Sequence, residues 1–180
     1  MSDRVTVAIA GGVADVRLNR AEKLNALDSA MFEALAETGA SLAADRSLRA
    51  AVISGEGRAF CAGIDVKGFA ASSPGARNLL DLYEGGPATL AQQAARTWTE
   101  LPVPVIAAVH GVCFGGGLQI ALGADIRFVT PDARLSVMEI KWGLVPDMSG
   151  TQSLRRLVRL DVAKELTFTC LLYTSPSPRD

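Results

Sequence analysis

The chain has 180 residues, 49% of them hydrophobic, with 18 basic against 19 acidic side chains, which fits a single domain around one substantial core. A net charge near zero lacks the basic excess that a phosphate backbone demands, so nucleic acid is not an expected partner and an anionic ligand must meet a local patch. No apolar run is long enough to cross a bilayer and MSDRVTVAIA does not have the form of a signal peptide, so no membrane partner and a cytoplasmic location are expected.

Residues Val5 to Asn19 alternate around Gly11-Gly12, which predicts a hairpin. Asp28 is placed to cap a helix in which Met31, Leu35, Thr38 and Leu42 recur at helical spacing. Leu48 to Ser54 reads as a buried strand. Arg58 to Lys67 is irregular and glycine-bearing, and the Gly/Ala/Ser/Pro-rich stretch through Gly75 reads as a lid or entrance loop. A helix is expected from about Leu79 or Pro87 to Trp98, then a core strand within Pro102 to His110 and, after Gly115-Gly116-Gly117, a helix over Leu118 to Ala124. Ile126 to Val129 and Ala133 to Val137 read as strands about a Thr130-Pro131-Asp132 turn, and a last helix as running from near Ser149 to Phe168. Strands interleaved with helices predict an α/β fold.

The segment from Cys170 to Asp180, CLLYTSPSPRD, breaks off the helical pattern. It reads as the in-frame translation of a transposase-type sequencing adapter, a natural unstructured terminus being the alternative. The expected organisation is a catalytic core over residues 1–169, incomplete at its C-terminus, and a non-native tail over 170–180. Cys61, Cys113 and Cys170 have no metal-ligand spacing and make no even disulfide set, and Cys61 and Cys113 read as reduced, buried small residues.

The strongest chemical signal is a pair of glycine clusters, AFCAGID at residues 59–65 and HGVCFGGG at residues 110–117, each following an expected strand. A missing Cβ lets a ligand oxygen approach the backbone, and two N–H groups from separate loops can form an oxyanion hole. A thioester carbonyl suits such a hole, because removing a proton from the adjacent carbon pushes negative charge onto that oxygen. Tight strand–helix packing is the alternative explanation of a triple glycine.

Together with RAEKLNAL at 20–27, PVIAAVHGVCFGGGLQIALGADIRFV and MEIKWGLVPDMSGTQSLRRLV, these clusters resemble, in order, the signatures of the crotonase superfamily of enoyl-CoA hydratases and isomerases. The resemblance implies a spiral of repeated strand-strand-helix units, a homotrimer or homohexamer in the full-length protein, and an acyl-CoA substrate with no separate cofactor. It places the two backbone donors at Ile64 and Gly116. It also assigns Ala21, Lys23, Leu24 and Ala62 to the coenzyme A site, with Lys23 and Lys67 available to the phosphates; solvated surface charge is the alternative for both lysines.

Hydratases of this superfamily pair two glutamates. Here the first position is Gln119, which cannot accept a proton at neutral pH, and the second is Glu139. Single-glutamate isomerases use the position of Glu139, so isomerisation survives the change. Asp147 stands where dienoyl-CoA isomerases carry a second carboxylate, although capping the following helix would equally explain it. The resemblance thus implies double-bond isomerisation of an enoyl- or dienoyl-CoA with Glu139, Asp147 and Gln119 at the reacting centre. The alternatives are a hydratase with Gln119 in place of one carboxylate and a non-catalytic acyl-CoA binder. His110, the only histidine, reads as a buried hydrogen-bonding residue. Neither glycine cluster offers a serine nucleophile or G-x-G-x-x-G spacing.

Overall fold

A computed structural model describes residues 3–70 and 79–174. The lid expected after Lys67 lies mostly outside these residues, as do the last positions of the tail. The chain opens with β1 (Val5–Ala10) and β2 (Val13–Leu18), paired antiparallel with Ala10 opposite Val13. The two-residue turn has φ of +57° at Gly11 and +79° at Gly12, the double left-handed conformation that makes a Gly-Gly loop suit a tight hairpin.

From β2 onward the sheet is parallel, in the order β1-β2, then β3 (Ala50–Gly55), β4 (Val105–Val109) and β6 (Ile126–Val129). Parallel neighbours need crossovers. Helix α1 (Ser29–Ala44) makes the first; α2 (Val66–Ala70) and α3 (Leu90–Glu100) lie in the second; β5 (Val112–Phe114) and α4 (Gly116–Leu122) form the third. Asp28 caps α1 through its side chain, which accepts from the Met31 amide at 2.9 Å. A capping box between Thr89 and Gln92 starts α3. The expected helix therefore begins at Leu90, and a single 3₁₀ turn at Tyr83–Gly85 precedes it. Helices α1 and α3 pack so closely that a Cβ on Gly39 would overlap the Thr97 side chain. Trp98, Phe32, Phe60 and Leu35 fill the core beneath them.

A second, three-stranded sheet joins β5, β7 (Arg134–Ser136) and β8 (Tyr173–Thr174), the last pairing antiparallel with β7. Tyr173 and Thr174 belong to the segment read as a foreign tail; within the described residues that segment adds a strand to the fold. The single helix expected from Ser149 to Phe168 is two, α5 (Gly150–Leu157) and α6 (Leu160–Thr169), with Val158 and Arg159 extended between them. Leu154 and Ala163 are both buried. On one straight helix at about 100° per residue they would face opposite sides, so the break lets both reach the core. Among the described residues no helix is long and apolar enough to cross a membrane.

Candidate active site

The two glycine clusters meet. The Cys61 amide donates to the Val112 carbonyl at 3.1 Å and the Phe114 amide to the Cys61 carbonyl at 3.0 Å, a short parallel bridge that runs the loops side by side. At Gly63 φ is +88°, and a Cβ there would sit 2.8 Å from the Phe114 carbonyl oxygen and 3.7 Å from the Gly116 nitrogen. Only a glycine allows this approach without strain. On the other side, Leu27 bridges Ile64: its amide donates to the Gly63 carbonyl at 2.8 Å and its carbonyl accepts from Asp65 at 2.9 Å. That pattern leaves the Ile64 N–H unused. The Gly116 N–H is one of the first in α4, where no intrahelical acceptor exists. Among the described residues neither amide has an acceptor.

The triple glycine also has the packing role weighed from sequence. A Cβ on Gly117 would lie 2.6 Å from Cys61, and one on Gly116 would lie 2.8 Å from Leu27 and from Met148. Gly115 takes φ +50° and ψ −121°, and its missing Cβ leaves room for Glu139 Oε1, which would be 3.3 Å away. Close packing and an open amide thus share the same three residues.

These loops floor a cleft of about 480 Å³. Ala62, Ile64, Gly116, Gln119, Glu139 and Asp147 all line it, within walls that include Phe32, Val66, Leu79, Trp142, Leu144 and Met148. Glu139 begins a 3₁₀ turn (Glu139–Trp142) after β7, while the Gly115 amide donates to Ser136 at the end of β7. Glu139 is 8% exposed; its Oε1 accepts from Gln119 Nε2 at 2.6 Å and its Oε2 is buried with no hydrogen-bond partner. Burial pushes the Glu139 carboxyl above its ordinary value, and the Asp147 charge adds to the rise. The backbone amide of Glu139 itself, then the Gln119 bond and the Met138 amide, oppose it.

Asp147 is exposed at the cleft. Ser149, in a left-handed conformation, occupies the N-cap of α5, and the cap has no side-chain bond, so Asp147 is not the helix cap that its position in sequence equally allowed. His110 is half-buried; its Nε2 lies 3.0 Å from the Gly57 carbonyl, and it is not among the cleft residues. Cys61 and Cys113 are free and fully buried. Burial raises the Cys61 thiol to about 12 and Cys113 well above its usual range, which suits neither to nucleophilic work.

The residues assigned to coenzyme A divide. Ala62 lines the cleft, whereas Ala21, Lys23, Leu24 and Lys67 do not. The Ala62 amide nonetheless donates to the Leu24 carbonyl at 2.9 Å, which joins the Ala21–Lys23 turn to the cleft rim. Lys23 and Lys67 are both exposed, and the Lys23 charge reaches Asp65, next to Ile64.

Two residues that the sequence motifs contain but did not single out hold this rim. Asn25 is fully buried in a left-handed conformation (φ +56°); its Nδ2 donates to the carbonyls of Glu56, Ala59 and Phe60 at 2.8–3.2 Å, and its Oδ1 accepts from the Arg20 amide. Arg20 Nη1 donates to Asp65 Oδ2 at 2.8 Å and to the Ala26 carbonyl at 3.0 Å. The Gly68 amide and then Arg20 hold the Asp65 carboxyl below its usual range. A polar residue between apolar neighbours, as in Leu24-Asn25-Ala26, was the available signal. Among the described residues no group of His, Cys, Asp and Glu could hold a metal ion.

Comparison with known proteins defines the class first: the architecture is the crotonase fold. An enoyl-CoA hydratase from Mycobacterium tuberculosis H37Rv superposes with a TM-score of 0.79 at 31% identity, over 96% of this chain and 64% of that one. A structure from Thermobifida fusca YX, assigned as an enoyl-CoA hydratase in complex with acetoacetyl-CoA, gives 0.83 at 34% identity over 97% of this chain and 69% of that one. Residues 8–177 match the model of the family described as enoyl-CoA hydratase/isomerase, and the chain belongs to that family. It is 35% identical over 170 residues to the mitochondrial Delta(3,5)-Delta(2,4)-dienoyl-CoA isomerase of Rattus norvegicus, covering 87% of this chain and 50% of that protein. Against the mitochondrial methylglutaconyl-CoA hydratase of Homo sapiens it is 34% identical over 160 residues, covering 88% of this chain and 45% of that protein. The chain spans about half the length of these curated relatives.

Proposed function

We propose that this chain is the core of an acyl-CoA double-bond isomerase. The observation that carries the reading is Glu139: it is the one buried carboxylate lining the cleft among the described residues, its Oε2 has no partner, and the neighbour 2.6 Å away is an amide that cannot titrate. The thioester oxygen would lie between the Ile64 and Gly116 amides, whose spare N–H groups flank the same cleft. Glu139 takes a proton from a carbon of the acyl chain. The C–H electron pair moves into the conjugated system and onto the thioester oxygen as an enolate. The same proton then returns at a different carbon while the enolate collapses, leaving the double bond moved and the carboxylate restored. Hydration would need a second proton-transfer group on the water, and Gln119 cannot be one.

A dienoyl-CoA substrate is the version that a second observation favours. Asp147 lines the same cleft, has no capping bond, and acts on the Glu139 charge. Two carboxylates could pass a proton along a longer conjugated system. The Ala21–Leu24 turn and Ala62 form the proposed coenzyme A rim, with Lys23 and Lys67 in reach of phosphates. The whole protein would act as a homotrimer or homohexamer.

The test is a panel of 3-enoyl, 2-enoyl and 3,5-dienoyl thioesters with parent, Glu139→Gln and Asp147→Asn proteins. Isomerisation should fall by about a thousandfold in Glu139→Gln, as expected for removing the buried carboxylate that takes the first proton. Loss in Asp147→Asn confined to the dienoyl substrate would select the dienoyl version. Fast hydration of the 2-enoyl thioester without double-bond shift would instead support a hydratase. Equal ligand affinity with no turnover in parent and Glu139→Gln would support a binder.

A further inference from the structure

We propose that Gln119 is a positioning residue: anchored at one end by the Gly150 amide, its NH₂ group pins Oε1 of Glu139 and so makes Oε2 the oxygen that carries the proton. The inference deepens the isomerase reading and rests on it for its catalytic consequence, though not for its geometry.

Gln119 is only 4% exposed, and both ends of its amide are engaged. The Gly150 N–H donates to its Oε1 at 2.8 Å, and its Nε2 donates to Glu139 Oε1 at 2.6 Å. A backbone N–H can only donate, so Gly150 settles which end of the amide is oxygen; the NH₂ must then face Glu139. The connection therefore has a fixed polarity, running from the start of α5 through α4 to the turn that carries Glu139. The space around it is equally constrained: a Cβ on Gly150 would lie 2.6 Å from Gln119 Oε1. With Oε1 occupied, Oε2 is left as a buried acceptor with no partner, the atom whose hydrogen-bonding capacity is still unmet.

A hydrogen bond donated to a carboxylate favours its ionised form, so Gln119 offsets part of the rise that burial imposes on Glu139. The charged group that acts on Glu139 is Asp147, from the segment before α5; Lys141 lines the same cleft from Glu139's own turn, and α4 presents the neutral Gln119. A carboxylate at position 119 would still accept from Gly150 but would meet Glu139 as a like charge. A thioether would make neither bond.

Two variants test this. Gln119→Met keeps the length and removes both bonds; Gln119→Glu keeps the anchor and replaces the donor with a second carboxylate. The Glu139 carboxyl is titrated by infrared difference spectroscopy on the purified protein, with Glu139→Gln as the blank and circular dichroism to check folding. In Gln119→Met the midpoint should rise by about half a pH unit or more, roughly a threefold change in proton affinity. In Gln119→Glu it should rise further and split into two steps. With substrate, Gln119→Met should lower kcat by about tenfold with KM little changed, because the bond orients the base rather than binding substrate. A base must be deprotonated, so the acid limb of the rate profile should move to higher pH with the infrared midpoint. If Gln119→Met does not fold, Gln119→Glu carries the test, since it retains the Gly150 bond. An unchanged Glu139 midpoint in a folded variant overturns the positioning role whatever the activity. Full isomerase activity in Glu139→Gln would instead overturn the isomerase reading, leaving the infrared result to judge Gln119 alone.

Discussion

Asn25 illustrates how much of this site depends on side chains that touch no substrate. Its amide bonds three carbonyls at the end of β3 and the start of the loop that carries Ile64, while its own backbone sits at φ +56°, a conformation that asparagine tolerates better than most residues. Asn25→Ala would leave the buried Ala59 and Phe60 carbonyls without that donor and keep the backbone strain. We expect it to cost roughly 3 kcal/mol in urea unfolding. A loss below about 1 kcal/mol would show that water replaces the amide. The Arg20–Asp65 pair bears on the same loop from the other side, and its half-buried geometry sets it apart from the exposed pair of Arg159 and Asp161.

At the scale of elements, the oxyanion candidates exist because two strand ends and one helix start are pressed together. The Cys61–Cys113 bridge brings the loops into register, and Gly63 permits the contact. Gly63→Ala combines strain at φ +88° with a Cβ 2.8 Å from the Phe114 carbonyl, whereas Gly143→Ala carries similar strain at φ +69° with nothing within 4 Å. Both substitutions should destabilise the fold by about 1 kcal/mol from backbone strain alone. Only Gly63→Ala should also weaken binding of the proposed acyl-CoA ligand, by about tenfold or more, measured by calorimetry. Equal losses in the two variants would mean that the close approach of the loops does not shape the ligand site.

For the whole molecule, the exposed apolar residues among the described ones bear on assembly. Ile126 and Phe128 lie exposed on β6, an edge of the larger sheet, and Leu160 and Phe168 are exposed on α6. Uncovered apolar edges of this kind invite pairing with another chain. The proposed homotrimer or homohexamer is therefore expected to appear in light scattering of the whole protein. A monomer at micromolar concentration would sink that expectation, and the exposed residues would then need another cover.

Most of the larger strands and helices, the hairpin at Gly11-Gly12, the Asp28 cap and the resemblance to the enoyl-CoA hydratase/isomerase family were legible in the sequence, because periodicity, turn chemistry and motif order are local or linear properties; β5, α2, β8 and the division of the last helix were not. The sequence also put Ile64, Gly116, Gln119 and Glu139 on one short list. Their spatial arrangement around one cleft came only from the packing of distant segments. The break between α5 and α6 lets Leu154 and Ala163 both reach the core, and the turn that starts at Glu139 follows β7, whose Ser136 accepts from the Gly115 amide. The Gln119 connection needs Gly150, 31 residues away, to orient its amide. Hydrogen bonds and burial between distant segments leave no periodic trace in a sequence, and they are what bring Gln119 and Gly150 together against a buried Glu139.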